Sequence, residues 1–262
     1  MSNLLEINNL SVDFPSRRGQ VAAVNKVSIS VAKGEVLGLV GESGAGKSTV
    51  GNSVINLLEP PGYISGGEII FDGTRIDQMS NEEMRKIRGA KIGTIFQDPQ
   101  TSLNPLMTIG KQLSETLVET LKISGSSALQ KSVELLDSVG IPNPDQRLNA
   151  YPHQFSGGMR QRVVIALALA GDPDLVIADE PTTALDVSIQ KQILDLIKSL
   201  CKQRNLGVII VTHDIGVIAE IADRVAVMYN GQLVEEGKVT QVLQKPKHDY
   251  TKSLISAVPS GC

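Results

Sequence analysis

Residues 35–58 read EVLGLVGESGAGKSTVGNSVINLL. The apolar run from Val36 to Val40 enters a loop of the form G-x-x-x-x-G-K-S, from Gly41 to Ser48. Beyond the loop, Val50, Val54, Leu57 and Leu58 fall at i, i+4, i+7 and i+8, one face of a helix. Strand, glycine loop and helix in this order form a phosphate cradle. Its glycines let successive backbone N–H groups converge on phosphate oxygens, and the helix that starts at Lys47 adds its positive end. Lys47 then reaches the β- and γ-phosphates of a nucleotide, and Ser48 offers a hydroxyl to Mg²⁺. The null alternative is a glycine-rich turn with an incidental lysine, which the flanking strand and helix disfavour.

Around this loop lies a chain of 262 residues with 41% apolar content, enough for one large α/β domain or a core with a subdomain. A net charge of −3 and a pI near 5.7 leave no electrostatic footprint for nucleic acid, so no nucleic-acid partner is expected. The longest apolar run, from Val163 to Ala170, is far short of a membrane span. The first residues, with Glu6 and Asp13 inside their apolar stretch, do not read as a signal peptide, which predicts a cytosolic protein. Cys201 and Cys262 are too few and too far apart for a disulfide framework or a metal knuckle.

From the start, residues 4–14 and 21–31 alternate apolar and polar residues, antiparallel strands joined by the loop 15–20. Phe14 closes the first strand in a chain with four Phe, four Tyr and no Trp; it either stacks on an adenine ring or caps the core. Residues 67–73 form a further strand, and Ser80 with Glu83 makes a capping box. The strand 91–96 delivers Gln97 at its end, where α/β sheets bind ligands, although a lone glutamine is also an ordinary loop residue. From Thr101 to Phe155 the spacing turns helical: Ile109, Leu113, Leu117 and Leu121, then Leu129, Val133, Leu136 and Val139. This insertion leads to Ser156, Gly157 and Gly158 at the start of an apolar helix, either a second anion site or a plain cap. Leu103, Leu106 and Met107 either line a groove for a partner helix or pack inside the insertion. The apolar run 175–178 ends in Asp179 and Glu180, one suited to hold the water shell of Mg²⁺ and the other to take a proton from an attacking water. Ile189, Ile193, Ile197 and Leu200 mark the next helix, and the strand 207–212 ends at His213, which is either structural or in reach of phosphate. Asn230-Gly231 sits between two strands as a hairpin turn, and short helices follow from Val239.

In this order the pieces resemble the ATP-binding subunits of ABC transporters, over nearly the whole chain. The motifs are GESGAGKS (Walker A), Gln97 (Q-loop), FSGGMRQR at 155–162 (signature), LVIADE at 175–180 (Walker B), ALD at 184–186 (D-loop) and His213 (switch). FQDPQTSLNP, YPHQFSGGMRQRV, ADEPTTALDV and HDYTKSLISAVP are similar to the branch that imports peptides and nickel. Phe155 and Met159 depart from the Leu and final Gln of the general LSGGQ signature.

The resemblance implies an α/β fold: a RecA-like P-loop NTPase core with an N-terminal antiparallel β subdomain and an inserted α-helical subdomain. It implies a core over 1–100 and 172–240, a helical signature subdomain over 101–171 and a tail over 241–262. It further implies two subunits holding two ATP molecules head to tail. The loop residues Gly41, Glu42, Ser43, Gly44, Ala45, Gly46, Lys47, Ser48 and Thr49 of one subunit would face Ser156, Gly157, Gly158 and Asp186 of the other. Asp179 would hold Mg²⁺ through water, with Ser48 and Gln97 nearby; Glu180 would be the base; His213 and Gln97 would sense the γ-phosphate; Phe14 stands at the adenine-stacking position. The implied partners are a second ATPase subunit, two membrane permease subunits and, indirectly, an extracytoplasmic solute-binding protein, with this chain at the cytoplasmic membrane face. The alternative is a non-transport ABC ATPase, but the long coiled-coil insertion or second cassette of those proteins is not in this sequence.

Overall fold

The computed structural model describes residues 3–16, 19–183 and 185–257. Ala184, Cys262 and the Val258-Pro259 end of the HDYTKSLISAVP stretch therefore lie outside the described residues. The chain forms two compact units, one built from the residues up to Met84 and from Cys201 onward, the other from Arg85 to Leu200.

The first unit opens with β1 (Leu5–Ser16) and β2 (Gly19–Val31), antiparallel from Leu5↔Val31 to Ser16↔Gly19. Asn9, at φ 51, lies where the register shifts between Ile7 and Leu10, and this bulge keeps Leu10 and Val12 as buried as Leu5 and Ile7. Next come β3 (Val36–Val40) and α1 (Lys47–Val54), then β4 (Tyr63–Phe71) and β5 (Thr74–Arg75). These two strands extend the β1–β2 pair to a four-stranded sheet in the order β2-β1-β4-β5. The helix after the loop is shorter than its sequence spacing suggests. It stops at Val54, Asn56 takes φ 51, and Leu57 is 45% exposed, so Leu57 and Leu58 do not extend the helical face.

Chain continues through α2 (Asn81–Ile87), which starts at the expected capping box: Ser80 N–H donates to Glu83 Oε2 at 2.8 Å and Glu83 N–H to Ser80 Oγ at 3.3 Å. The second unit holds β6 (Ile92–Ile95), α3 (Pro99–Ser102), α4 (Ile109–Leu121), α5 (Gly125–Ser138) and α6 (Pro144–Arg147). After a 3₁₀ turn at Pro152–Gln154 come α7 (Gly157–Leu169), β7 (Leu175–Asp179) and α8 (Val187–Arg204). β6 and β7 run parallel, Ile92↔Leu175 through Ile95↔Ala178. α7 is apolar on nearly every side, the pattern of a buried helix, and lies so close to β6 that a Cβ at Gly93 would sit 2.2 Å from the Ala168 carbonyl oxygen. In α5 the buried face is Ala128, Ser132, Leu135 and Leu136, whereas Leu129 is 50% exposed: the face is turned from the one its leucine spacing suggests.

Returning to the first unit, the chain adds β8 (Gly207–Thr212), α9 (Ile215–Ile221), β9 (Arg224–Tyr229), β10 (Gln232–Lys238), α10 (Val239–Gln244) and α11 (Asp249–Ser256). β3 pairs in parallel with β8 on one side and β9 on the other, which is why all five of its residues are buried and none is charged. β9 and β10 form the expected hairpin, with Asn230 at φ 47 and Gly231 at φ 76, the two left-handed residues of a type I′ turn.

Candidate functional site

The loop after β3 is shaped by close backbone approach. A Cβ at Gly41 would lie 2.2 Å from the Met228 carbonyl oxygen of β9, and one at Gly46, φ 95, would lie 2.4 Å from that of Ala23. Only glycine fits either place. Gly46 also begins α1 without a side-chain cap, so the helix's first amides open toward Ser48 and Thr49, the former exposed. Glu42, Ser43 and Gly44 are exposed along the rim and Ala45 is buried, its carbonyl accepting from the Gly231 N–H at 3.2 Å. Lys47 is only 6% exposed, and its ammonium bonds the carbonyls of Gly41 and Glu42, each at 2.8 Å. The lysine ammonium thus lies folded into its own loop.

In the second unit, β7 carries Asp179 and Glu180 to its C-terminal end, and the neighbouring β6 carries Gln97 to the same end. Glu180 sits at φ 45, a left-handed conformation uncommon for a residue with a Cβ and one that clusters at functional sites. Its Oε2 accepts from Gln97 Nε2 at 2.8 Å and from Thr183 Oγ1 at 2.9 Å. Two donors on one oxygen fix the carboxylate's rotation, which suits a proton acceptor that must meet one water in one direction. By donor chemistry alone the residue types fit magnesium: Ser48 of the first unit carries a hydroxyl, and Asp179 and Gln97 of the second carry a carboxylate and an amide oxygen.

Ser156 caps α7, its Oγ accepting from the Met159 N–H at 3.3 Å. Of the two sequence alternatives, the cap is the one this contact shows. Gly158 is pressed against α8: a Cβ there would lie 2.7 Å from Ile189 Cγ2, while Gly157 has ordinary room beside Leu185. Phe155, in place of the usual leucine, is 3% exposed under the Arg147 guanidinium, 5.6 Å from the ring centroid. Asp186 is exposed just before α8, and its carbonyl accepts from the Gln190 N–H at 2.8 Å. In the first unit, His213 is exposed directly after β8. Phe14 is half-buried in β1, with its ring edge over the Gly62 backbone, where a Cβ would lie 2.5 Å from Phe14 Cε1.

The ABC transporter family profile matches residues 24–183. The chain is a member of the ABC transporter family. It is 52% identical over 261 residues to the oligopeptide transport ATP-binding protein OppD of Bacillus subtilis, spanning 99% of this chain and 73% of that protein. It is 50% identical over 260 residues to the dipeptide transport ATP-binding protein DppD of the same organism, spanning 99% and 78%. Among solved structures it resembles a dimeric ATP-binding cassette in a post-hydrolysis state bound to ADP and Pi, at TM-score 0.78 and 30% identity over 90% of this chain and 98% of that one. It also resembles CbiO1 from Clostridium perfringens, at TM-score 0.80 and 29% identity over 94% and 92% of the two chains.

As an ABC ATPase the chain binds and hydrolyses ATP, and its fold is the expected P-loop NTPase architecture. Among the described residues no helix is long and apolar enough to cross a membrane. Three residues around the ABC motifs escaped the sequence reading. Thr183 shares Glu180 with Gln97. Gln112, 9% exposed on α4, accepts from the Asn104 N–H at 2.9 Å and donates to the Asn104 and Met107 carbonyls at 3.1 and 3.0 Å, so it shapes the loop behind Gln97. Tyr250, in the HDYT stretch, accepts from the Glu42 N–H at 2.8 Å. The sequence marked this stretch only by its similarity to the importer branch, which gives Tyr250 no partner. Cys201 is buried and donates to the Leu206 carbonyl at 2.9 Å; burial pushes its thiol up to about 11, which makes it an inert core residue.

Proposed function

We propose that this chain is the ATP-hydrolysing subunit of an importer of peptides or related small solutes, working at the cytoplasmic face of the membrane against permease subunits. The observation that carries the hydrolytic half is the Glu180 carboxylate, held by Gln97 and Thr183 at the end of a buried strand in a left-handed conformation. The likeness to peptide transport ATP-binding proteins at about half identity supports the transport half.

In this reading the loop Gly41–Thr49 cradles the phosphates, Lys47 turns from its own carbonyls to the β- and γ-phosphates, and Phe14 stacks on adenine. Ser48, Gln97 and Asp179 would hold Mg²⁺, which would supply charge neutralisation at the phosphates. Glu180 takes the proton of the attacking water, and Gln97 and His213 contact the γ-phosphate. Ser156, Gly157, Gly158 and Asp186 close the site of a second subunit. The core comprises 1–100 and 172–240, the signature subdomain 101–171, and the tail 241–262.

Glu180→Gln tests the base. The amide keeps an acceptor oxygen for Gln97 and Thr183 but loses basicity, so steady-state hydrolysis falls by roughly 10²-fold or more while ATP still binds. Near-normal turnover with intact binding would remove Glu180 from that role.

A further inference from the structure

The motifs of the catalytic reading end at His213, yet the tail reaches back to the phosphate loop. We propose that Tyr250 is a positioning residue of that loop, and that through its hydroxyl α11 sets nucleotide affinity. The inference rests on the reading of Gly41–Thr49 as the phosphate cradle.

One peptide unit carries the argument. The carbonyl of Gly41 accepts from the Lys47 ammonium at 2.8 Å, and the amide at the other end of the same peptide, Glu42 N–H, donates to the Tyr250 hydroxyl at 2.8 Å. The peptide plane is therefore pinned at both ends, and Glu42 adds its own carbonyl to the lysine at 2.8 Å. A rotation of this plane moves an acceptor of Lys47, so the tyrosine bears on the geometry from which the lysine departs toward phosphate. It touches neither phosphate nor reacting atoms, and acts through the loop alone.

The tyrosine is itself held. Its ring packs on Tyr229 with centroids 4.3 Å apart and planes at 30°, so two of the chain's four tyrosines meet beside the loop. Tyr229 ends β9 next to the turn whose Gly231 N–H reaches Ala45, so hairpin and tail grip the loop at two points. Below it, the Glu235 carboxylate of β10 accepts from the Lys247 N–H at 2.9 Å and the His248 N–H at 3.0 Å. His248 in turn caps α11, its Nδ1 accepting from the Tyr250 N–H at 3.1 Å. The line from Glu235 through His248 to Tyr250 is continuous, and it leaves the hydroxyl little choice of position.

The alternative is that Tyr250 only covers Tyr229. Tyr250→Phe separates the two, because it keeps the stacked ring and removes the hydroxyl. Equilibrium titration with Mg-ADP should show Kd raised about 3- to 10-fold, the worth of one lost hydrogen bond. The KM for ATP should rise in step, kcat should move by less than about twofold, and the melting temperature without nucleotide should stay unchanged. Glu235→Ala, which loosens the tail's anchor, should raise Kd in the same direction and add little in the double variant, since both act through one contact. An unchanged Kd in Tyr250→Phe overturns the proposal, as does a rise in Kd matched by lost thermal stability, which marks a structural brace. Lys47→Ala is the control: if it binds Mg-ADP as the parent does, the cradle reading fails and the proposal with it. If Lys47→Ala does not bind while Tyr250→Phe binds normally, only the role of Tyr250 falls.

Discussion

Removing the ring of Phe14 separates adenine binding from core packing. The side chain is half-buried against the Gly62 backbone, and a lost base–aromatic stack costs roughly 1–3 kcal/mol. Phe14→Ala is therefore expected to raise the ATP dissociation constant about tenfold or more while turnover at saturating ATP survives, which equilibrium titration beside steady-state kinetics measures. An unchanged dissociation constant returns Phe14 to the core. At this scale the sequence announced residue types better than their company. The place of Glu180 was legible, because an unbroken apolar run marks the buried strand that it follows. Its left-handed backbone and its bond to Thr183 were not, since both arise from how the chain turns after β7. Tyr250 was opaque for a related reason: a contact 208 residues apart in the chain leaves no local pattern.

Among the elements, the loop between α3 and α4 carries the clearest prediction. Gln112 ties down its backbone, Leu103 is 2% exposed and belongs to the core, and Leu106 stands 85% exposed. The three apolar residues read together in the sequence thus divide, and Leu106 is the one proposed to receive a permease helix. Leu106→Glu is expected to leave the melting temperature and ATP binding of the isolated subunit unchanged and to abolish transport and permease-stimulated hydrolysis in the assembled complex; loss of folding instead would place Leu106 in the core. Elements with a strong helical period or an unbroken apolar run, such as α4 and β8, matched their sequence spacing closely. The misreadings have physical causes. α1 ends early because Asn56 turns left-handed, a choice open to asparagine that no apolar period reveals. β4 begins at Tyr63 rather than Gly67 because it pairs with β1 as far as Asp13, and pairing with a distant strand overrides weak local propensity. α5 turns a different face inward, on which Ser132 is buried with its Oγ donating to the Ala128 carbonyl at 2.7 Å, a contact that apolar spacing does not register.

For the molecule as a whole, the helix start at Ser156–Gly158 is proposed to bind phosphate together with the phosphate loop of a second subunit. Turnover per subunit is then expected to rise steeply with protein concentration, and to rise further with a partner subunit, in a dilution series followed by phosphate release. Strict proportionality between rate and concentration would instead mark a self-contained ATPase. Hydrolysis would then depend on assembly, and the loop proposed to meet the second subunit is the one the tail holds. The tail's anchor brings acidity into that chain of dependence. Desolvation pushes the Glu235 carboxyl up, but the amides of His248 and Lys247 outweigh it, and its pKa falls below the ordinary range. A lowered carboxylate pKa contributes stability above the unfolded value, about 4.3 for glutamate, and loses it only as pH drops through the lower folded value. Across neutral pH the anchor is therefore constant, whereas near pH 4 and below the amides of α11 are expected to lose hydrogen-exchange protection ahead of those of β3 and β8, so that acid would loosen the nucleotide's hold on the subunit before it unfolds the sheet.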